Sequence, residues 1–160
     1  MRRLLFIILS LFALPAHADM VLPETVTDPI LTIQTSDKTY ELDRAALEAL
    51  PNFQFTTATI WTDGPQEFVG VRVVDLLELL ESDAERLALT AANSYQIEVP
   101  VAHYHEFDAI IAYLRNGEPM TLRDKGPLWI VYPYDSDPRY KTEIMFANSI
   151  WQLERIDLKN

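Results

Sequence analysis

The sequence predicts a mixed α+β domain in which short strands outnumber short helices. Most apolar residues fall in short runs rich in Val, Ile, Thr and aromatic side chains, and such runs are typical of strands. Few segments repeat apolar residues at helical spacing, the clearest being residues 73–80. Turn-forming pairs such as Asp63-Gly64 and Asn116-Gly117 separate the segments. A chain of 160 residues with this pattern is expected to form one domain with its own hydrophobic core.

The most apolar run outside the N-terminus is the segment LWIVY at residues 128–132. Gly126-Pro127 precedes this run and Pro133 ends it, which predicts a buried strand. The charged turn 123–125 lies before it and the polar loop 134–139 follows it. Two interpretations stay open here: a core strand with ligand-binding loops at its ends, or a core strand between two solvated turns.

The other elements are predicted from the same patterns, in order along the chain. Predicted strands cover residues 30–35, 39–42, 53–61, 68–71, 87–92, 95–99 and 151–158, and predicted helices cover residues 44–50, 73–80 and 144–150. Asp43 is the expected N-cap of the first helix, and Pro51 ends that helix. Residues 108–115 fit a helix and a strand equally well. Residues 120–122 are expected to form a hairpin with the apolar run through the turn 123–125.

The first 18 residues have the features of a secretory signal peptide. Arg2 and Arg3 form a basic start, residues 4–14 are apolar, and Ala16-His17-Ala18 fits the cleavage site. We therefore expect cleavage before Asp19, a flexible tail at residues 19–29 and a single domain at residues 30–160. The short basic region predicts a bacterial exported protein in the periplasm. No later segment is long and apolar enough to predict a membrane span.

Composition argues against several classes of function. The chain has no cysteine, which excludes cysteine nucleophiles, iron–sulfur clusters and cysteine metal sites. Its formal charge is −11, and this becomes −13 when Arg2 and Arg3 leave with the signal peptide. Because phosphate backbones repel such a chain and no basic run is present, we predict that it does not bind nucleic acid.

Two patterns point to metal chemistry, and neither is complete. His103 and His105 are the histidines that follow the signal peptide, and in an extended segment a His-x-His pair points both rings to one side. Glu106 and Asp108 are close enough in sequence to complete a zinc or copper site, although a surface or hydrogen-bonding role is the simpler interpretation. The acidic residues on and after helix 73–80 lack the glycine and ordered oxygen ligands of a calcium loop, which favours a solvated face.

Five segments together resemble the molybdopterin-binding domain of sulfite oxidase-type enzymes. They are residues 68–77 (FVGVRVVDLL), 91–100 (AANSYQIEVP), 116–120 (NGEPM), 126–133 (GPLWIVYP) and 150–156 (IWQLERI). They are similar to the family patterns W/F-x-G-V-x-L-x-D-L-L, A-x-D-G-Y…P, N-G-x-P-L, G-x-P-x-R-x-x-x-P and K-W-L-x-x-I, in that order. The resemblance covers about residues 32–158. It implies an α+β fold with mixed and antiparallel sheets, a few short helices, a pterin-sized pocket at one end, and a strand at residues 108–115.

The sequence departs from this family at the positions that hold the cofactor. The family's molybdenum-binding cysteine lies on the strand that corresponds to residues 55–61, where this chain has Thr57 and Thr59. The family's cofactor-binding lysine and arginine correspond to Ile150 and Trp129. A threonine hydroxyl does not replace thiolate ligation at similar strength, and each lost cation removes a charge-assisted bond worth about 1.5–3 kcal/mol.

We interpret the chain as a non-catalytic periplasmic domain without a cofactor, which binds a small molecule or a periplasmic protein partner, for example in sensing. The expected pocket residues are Thr57 and Thr59 at the former metal position, Asn93 and Tyr95 on a loop, Arg123 and Lys125 as anion contacts, and Trp61 or Tyr134 as a stacking surface. A second interpretation is a molybdopterin-dependent oxidoreductase with an oxygen ligand, in which Arg123, Lys125 and Arg139 hold the cofactor phosphate. A third is a metal-binding protein based on His103 and His105.

Overall fold

Two β-sheets and several short helices enclose a shared apolar core. The computed structural model describes residues 22–160, and the predicted signal peptide lies outside them. Within this range the chain forms ten strands, four α-helices and two 3-10 turns. None of the helices in this range combines the length with the apolar character that a bilayer crossing requires.

The elements follow one another with short connections. The strands are β1 (Leu31–Gln34), β2 (Thr39–Leu42), β3 (Phe53–Ala58), β4 (Pro65–Arg72), β5 (Arg86–Ala91), β6 (Gln96–Pro100), β7 (Ile110–Arg115), β8 (Glu118–Pro119), β9 (Trp129–Val131) and β10 (Leu153–Lys159). The helices are α1 (Arg44–Ala49), α2 (Val73–Leu79), α3 (Val101–Glu106) and α4 (Glu143–Ala147), and the 3-10 turns are Leu122–Asp124 and Pro138–Tyr140.

The first sheet has the order β2-β1-β10-β5-β6. Its neighbours pair antiparallel except β1 and β10, which run parallel with Ile33 opposite Ile156. Leu87, Ala88 and Leu89 on β5 are fully buried. A continuous apolar run of this kind suits a strand that is covered on both faces, which is why this segment shows no apolar–polar alternation.

The second sheet contains β3, β4 and β7 in that order, and β8 and β9 both pair with the edge of β7 away from β4. All of these pairs are antiparallel. Every residue of β9 is fully buried, which confirms the predicted core strand. Gly70 on β4 approaches β7 so closely that a Cβ atom there would lie 2.2 Å from the carbonyl oxygen of Ile111. Only glycine fits at this contact.

A backbone seam joins the two sheets. The residues before β10 run alongside β9, and the Ile130 N–H donates to the Ile150 carbonyl at 2.9 Å. Trp129 and Trp151 face each other across this seam in an antiparallel bridge. The seam therefore places side chains from both sheets next to one another, and the candidate site lies there.

Most predicted strands and helices are confirmed, with ends that differ by a few residues. Asp43 caps α1, since the Ala46 N–H donates to its carboxylate at 2.8 Å. Residues 110–115 form strand β7, as the family resemblance implied. The segment before β1 is attached to the same cap, because both the N–H and the hydroxyl of Thr27 donate to the Asp43 carboxylate at 2.8 Å.

The expected extended segment at His103 and His105 was wrong, because these residues lie on α3. The N-cap of α3 is Pro100, whose ring holds φ near the helical value, at −61°. The helix places Tyr104 in the core with 2% of its surface exposed. A helix of six residues is too short to show a periodic apolar pattern in the sequence. The helix is stabilised by burial of the Tyr104 ring, which local sequence patterns do not reveal.

The expected hairpin of residues 120–122 with the apolar run was also wrong. Residues Leu122–Asp124 form a 3-10 turn, and β9 pairs with β7 instead. The turn closes tightly, since the Gly126 N–H donates to the Thr121 carbonyl at 2.8 Å. A Cβ atom at Gly126 would lie 2.0 Å from the carbonyl oxygen of Met120, so the chain doubles back where a second strand was expected.

Candidate functional site

A cleft of about 340 Å³ opens at the seam between the two sheets. Four aromatic side chains form most of its wall. The lining residues are Trp61, Ala91, Asn93, Tyr95, Phe146, Ala147, Ser149, Ile150 and Trp151. They come from the segment after β3, the β5–β6 turn, α4 and the seam. The cleft thus combines residues of both sheets with one helix.

A larger groove of about 850 Å³ lies between residues 22–25 and α2. Its walls carry solvated carboxylates, including Glu78 and Glu81, and an Arg72–Asp75 ion pair of 2.8 Å. Charged groups that face water in this way are the ordinary surface of an acidic protein. We therefore take the smaller aromatic cleft as the candidate site.

Trp61 is the central side chain of the cleft. Its ring makes edge-to-face contacts with Trp151, Phe146 and Trp129, with ring centres 5.4, 5.8 and 5.9 Å apart. Such pairs add about 0.5–1.5 kcal/mol each beyond the area they bury. A local turn fixes the backbone, because the Trp61 N–H donates to the Thr59 hydroxyl at 3.1 Å. Thr59 therefore positions an aromatic wall, and its own side chain is buried.

Thr57 lies at the end of β3 and is also buried, with 1% of its surface exposed. Its hydroxyl accepts from the Asp135 N–H at 3.0 Å, and the Asp135 carboxylate accepts from the Ala58 N–H at 2.6 Å. Lys141 pairs with the same carboxylate at 2.8 Å. The Ala58 N–H, followed by Lys141, lowers the pKa of Asp135 below its usual value. The polar groups at this strand end therefore bind one another.

Tyr95 and Trp151 form the outer wall of the cleft. Tyr95 is 56% exposed and Trp151 is 37% exposed, although both are large rings. An Asx turn holds the first of them, because the Tyr95 N–H donates to the Asn93 side-chain oxygen at 3.0 Å. Exposed aromatic rings at the mouth of a cleft have apolar area left to bury against a second molecule.

Tyr134 lies behind the cleft and does not line it. Its ring packs against Phe146 with ring centres 5.4 Å apart, and its hydroxyl shares a hydrogen bond with Ser149. Burial raises the pKa of Tyr134 to about 12. Since only 1% of this residue is exposed, it supports the wall formed by Phe146.

The three predicted cationic residues lie in different places. The Lys125 ammonium is 5.4 Å from the ring centre of Trp151, within the range of a cation–π contact. Arg123 is exposed on the same turn and has no carboxylate within 4 Å among residues 22–160. Arg139 lies elsewhere, pairing with Asp137 at 3.5 Å and more distantly with Glu106. The structure brings Lys125 to the cleft and leaves Arg139 away from it.

The two histidines do not lie side by side, because residues two apart on a helix point to nearly opposite sides. His103 Nε2 is 3.0 Å from the Tyr132 hydroxyl, and burial lowers the pKa of His103. His105 is exposed. Within residues 22–160, no group of three or more histidine or carboxylate side chains is placed to hold a metal ion.

Comparison with known proteins identifies the fold. No family model and no curated protein matches the sequence. Solved structures do match, and one of 23 matching chains belongs to the sulfane dehydrogenase SoxCD from Paracoccus pantotrophus, with a TM-score of 0.59 and 20% identity. The chain has the sulfite oxidase-type fold. The match covers 81% of this chain but 37% of the SoxCD chain, so the likeness concerns the fold of one part of that protein.

Within the sulfite oxidase-type fold, the positions that the resemblance assigns to the cofactor hold unsuitable groups. The hydroxyls of Thr57 and Thr59 are already engaged by backbone N–H groups. Ile150 and Trp129, which the resemblance aligns with the family's cations, are both buried in the apolar core. The Asp135 carboxylate adds a negative charge beside Thr57. Placed by the resemblance, the residues at these positions do not supply the thiolate and the cations with which the family holds molybdopterin.

Sequence reasoning named three of the nine lining residues, Trp61, Asn93 and Tyr95. It missed Phe146 and Trp151, which form the other walls. Trp151 was interpreted as part of the closing strand, but β10 begins two residues later, at Leu153. Because Trp151 is in phase with Leu153 in the apolar–polar alternation, the sequence offers no signal that separates this ring from the buried residues of the strand.

Proposed function

We propose that this protein is a non-catalytic binding module with the sulfite oxidase-type fold, exported to the periplasm, and that the aromatic cleft is its binding site. The proposal rests on the contrast between the hydrogen-bonded polar groups at the end of β3 and the exposed aromatic rings of the cleft. Polar groups at the former metal position are satisfied by one another, whereas Tyr95 and Trp151 leave large aromatic surface exposed at the cleft. Exposed apolar surface of this kind is typical of a binding site.

The lack of fit to molybdopterin supports the non-catalytic part of the proposal. With no cysteine in the sequence, no residue of the chain supplies a thiolate. The basic start and apolar segment of residues 1–18 support export. Location is tested by fractionating the native host and probing each fraction with an antibody to this chain. Recovery in the periplasmic fraction supports the proposal, and retention in the cytoplasm contradicts it.

Cofactor content is tested on protein purified from the periplasm of a molybdenum-replete host. We expect neither molybdenum by elemental analysis nor pterin by fluorescence after oxidative release. Stoichiometric molybdenum with pterin would overturn the non-catalytic role. Pterin without molybdenum would keep a binding role but would place a cofactor in the site.

Binding at the cleft is tested with anilinonaphthalene sulfonate, an anionic aromatic dye whose emission rises when it binds apolar surface. The dye is excited directly, so that the loss of a tryptophan does not itself change the signal. We expect strong dye emission with the wild-type protein and a large loss with Trp151→Ala, which removes a wall of the cleft. The matched control is Phe53→Ala, which removes an exposed aromatic ring on β3 that does not line the cleft. Equal dye binding by the two variants would contradict the proposal.

A further inference from the structure

Exposed apolar side chains lie at the mouth of the cleft. Among residues 22–160, seven large hydrophobic residues are exposed, and two of them, Tyr95 and Trp151, line the cleft. A third, Leu122, belongs to the 3-10 turn whose backbone is hydrogen-bonded to the residue after Trp151. Scattered exposed hydrophobic residues need no explanation, but a cluster of them marks an interaction surface.

Hydrogen bonds hold this turn against the cleft. The Gln152 side chain donates to the Leu122 carbonyl at 2.7 Å, and the Gln152 N–H donates to the Lys125 carbonyl at 3.0 Å. Gln152 follows Trp151 directly, so these two bonds place the turn next to the outer wall of the cleft. Leu122 and Trp151 therefore lie on neighbouring segments at the rim of the cleft.

The same turn carries positive charge that has no partner. Of the eleven lysines and arginines in residues 22–160, seven have a carboxylate within 4 Å. The other four are Lys38, Arg44, Arg123 and Lys125. Arg44 donates to the Tyr113 carbonyl at 2.8 Å, and Lys38 lies over the Tyr40 ring, away from the cleft. Lys125 lies over the Trp151 ring at the cleft, and Arg123 is exposed on the same turn, so these two residues place positive charge without a carboxylate partner beside the cleft of a chain whose formal charge is −11.

We propose that the cleft and its rim dock a segment of a partner protein that inserts one aromatic or branched aliphatic side chain and carries carboxylates next to it. This inference rests on the proposed binding role of the cleft. A volume of about 340 Å³ is at the lower limit for a ligand pocket and suits one large side chain. The exposed rim outside it requires a longer occupant, and Arg123 with Lys125 is complementary to acidic flanking residues.

The test measures binding of short peptides to the isotope-labelled protein by NMR. One peptide has a central tryptophan between pairs of aspartates, a second has serines in place of the aspartates, and a third has alanine in place of the tryptophan. We expect the first peptide to shift the indole N–H signals of Trp61 and Trp151. We also expect it to bind about five- to tenfold more tightly than the serine peptide at low salt, and the alanine peptide to show no binding. Equal affinity of the aspartate and serine peptides would overturn the acidic part of the inference.

Two variants test whether the turn at residues 122–125 causes the preference for the aspartate peptide. The double substitution Arg123→Gln with Lys125→Gln is expected to remove the preference for the aspartate peptide while the serine peptide binds as before. Lys38→Gln is the matched control, because Lys38 also lacks a carboxylate partner but does not lie at the cleft. Loss of the preference in the Lys38 variant would contradict the assignment to the turn.

The outcome also separates this inference from the proposed function. If anilinonaphthalene sulfonate binds at the cleft and no peptide does, the binding role stands and the protein partner is overturned. If neither binds, both are overturned. Sedimentation of the free protein tests the remaining occupant, a second copy of this chain. A dimer that Trp151→Ala dissociates would replace the partner segment with a self-interface.

Discussion

Two regions on either side of Trp61 differ in whether their side chains are bonded within the protein or left exposed. At the end of β3, Thr57, Asp135 and Lys141 satisfy one another through hydrogen bonds and an ion pair, and Thr57 is buried. At the cleft, Tyr95 and Trp151 leave more than a third of their surfaces exposed. The first region contributes to the stability of the fold and offers nothing to a ligand. The second region gives up stability, because its apolar area is buried only when another molecule binds.

The comparison is instructive because the first region is where the resemblance places the metal. From the sequence alone, the polar side chains of this region were predicted to bind a ligand. A polar group that is satisfied within the protein has little left to give to a ligand, since a new bond must replace an existing one. Substitutions at Trp129, Thr57 and Asp135 test this division, in order of decreasing expected effect, and His103 offers a smaller effect of burial outside both regions.

The largest effect is expected for Trp129→Ala, which removes a buried side chain that packs against Trp61 beneath the cleft. Trp129 is fully buried and packs against Phe68 and Trp61. Its loss should lower the free energy of unfolding by about 3–5 kcal/mol, measured by urea denaturation with circular dichroism. The matched change Trp151→Ala should cost far less, because that ring is partly exposed. An equal cost would mean that Trp151 belongs to the core and that the cleft is not a free surface.

Thr57→Val should lower the free energy of unfolding by about 1–3 kcal/mol, because it leaves the Asp135 N–H without an acceptor. Valine has nearly the same shape, so packing is kept. Thr56→Val is the control on the neighbouring exposed position and should change stability by less than about 0.5 kcal/mol. Urea midpoints of the two variants measure the difference. If Thr57→Val also matched the wild type, the strand end would be free to bind a ligand.

Asp135→Asn should cost about 1 kcal/mol near neutral pH, because the carboxylate is partly exposed and its ion pair is screened. The pKa of Asp135 is lowered in the folded protein, first by the Ala58 N–H and then by Lys141. Its contribution is therefore present above the unfolded pKa of about 3.9 and is lost as the pH falls through the folded pKa. The difference between wild type and variant should shrink below about pH 4 in thermal unfolding. Asp63→Asn serves as the control, since the Asp63 carboxylate is exposed and makes no hydrogen bond within residues 22–160. A difference that did not depend on pH would contradict the role of the charge.

The smallest effect is expected at His103. Burial lowers the pKa of His103, so the unfolded chain takes up a proton before the folded protein does. Stability should therefore fall as the pH drops from about 6.5 to the folded pKa, and it should level off below that. His103→Gln should flatten this part of the pH profile of the melting temperature. His105→Gln removes one histidine without touching Tyr132 and is the matched control. The same flattening in both variants would contradict the argument from burial.

Local signals predicted most of the fold and only part of the site. Asp43 as a cap and β9 as a buried strand follow from residue type and spacing alone. The pairing of β9 with β7 does not, because it joins residues about twenty positions apart and depends on how Gly126 packs against Met120. Helix α3 was also missed, because it depends on the burial of Tyr104 in the core and not on a local sequence pattern.

For the site, the sequence showed which residues were polar but not which were satisfied. Thr57 and Thr59 were predicted as pocket residues from their place on β3, and their hydroxyls turn out to be engaged with the backbone. Whether a hydroxyl is hydrogen-bonded within the protein depends on partners far along the chain. For Thr57 the partner is Asp135, which follows β9. Exposure of Trp151 likewise depends on where β10 begins, a boundary that patterns give only to within a few residues.

The parallel pairing of β1 with β10 determines how the domain responds to mechanical force. The chain enters the first sheet at Leu31 on β1 and leaves it at Lys159 on β10, and the two strands are adjacent and run in the same direction. Tension between entry and exit points acts along these strands, so the hydrogen bonds that join them are loaded together in shear. Antiparallel neighbours pulled from one end would separate bond by bond, like a zipper. The first sheet is therefore expected to resist tension that is applied between Leu31 and Lys159.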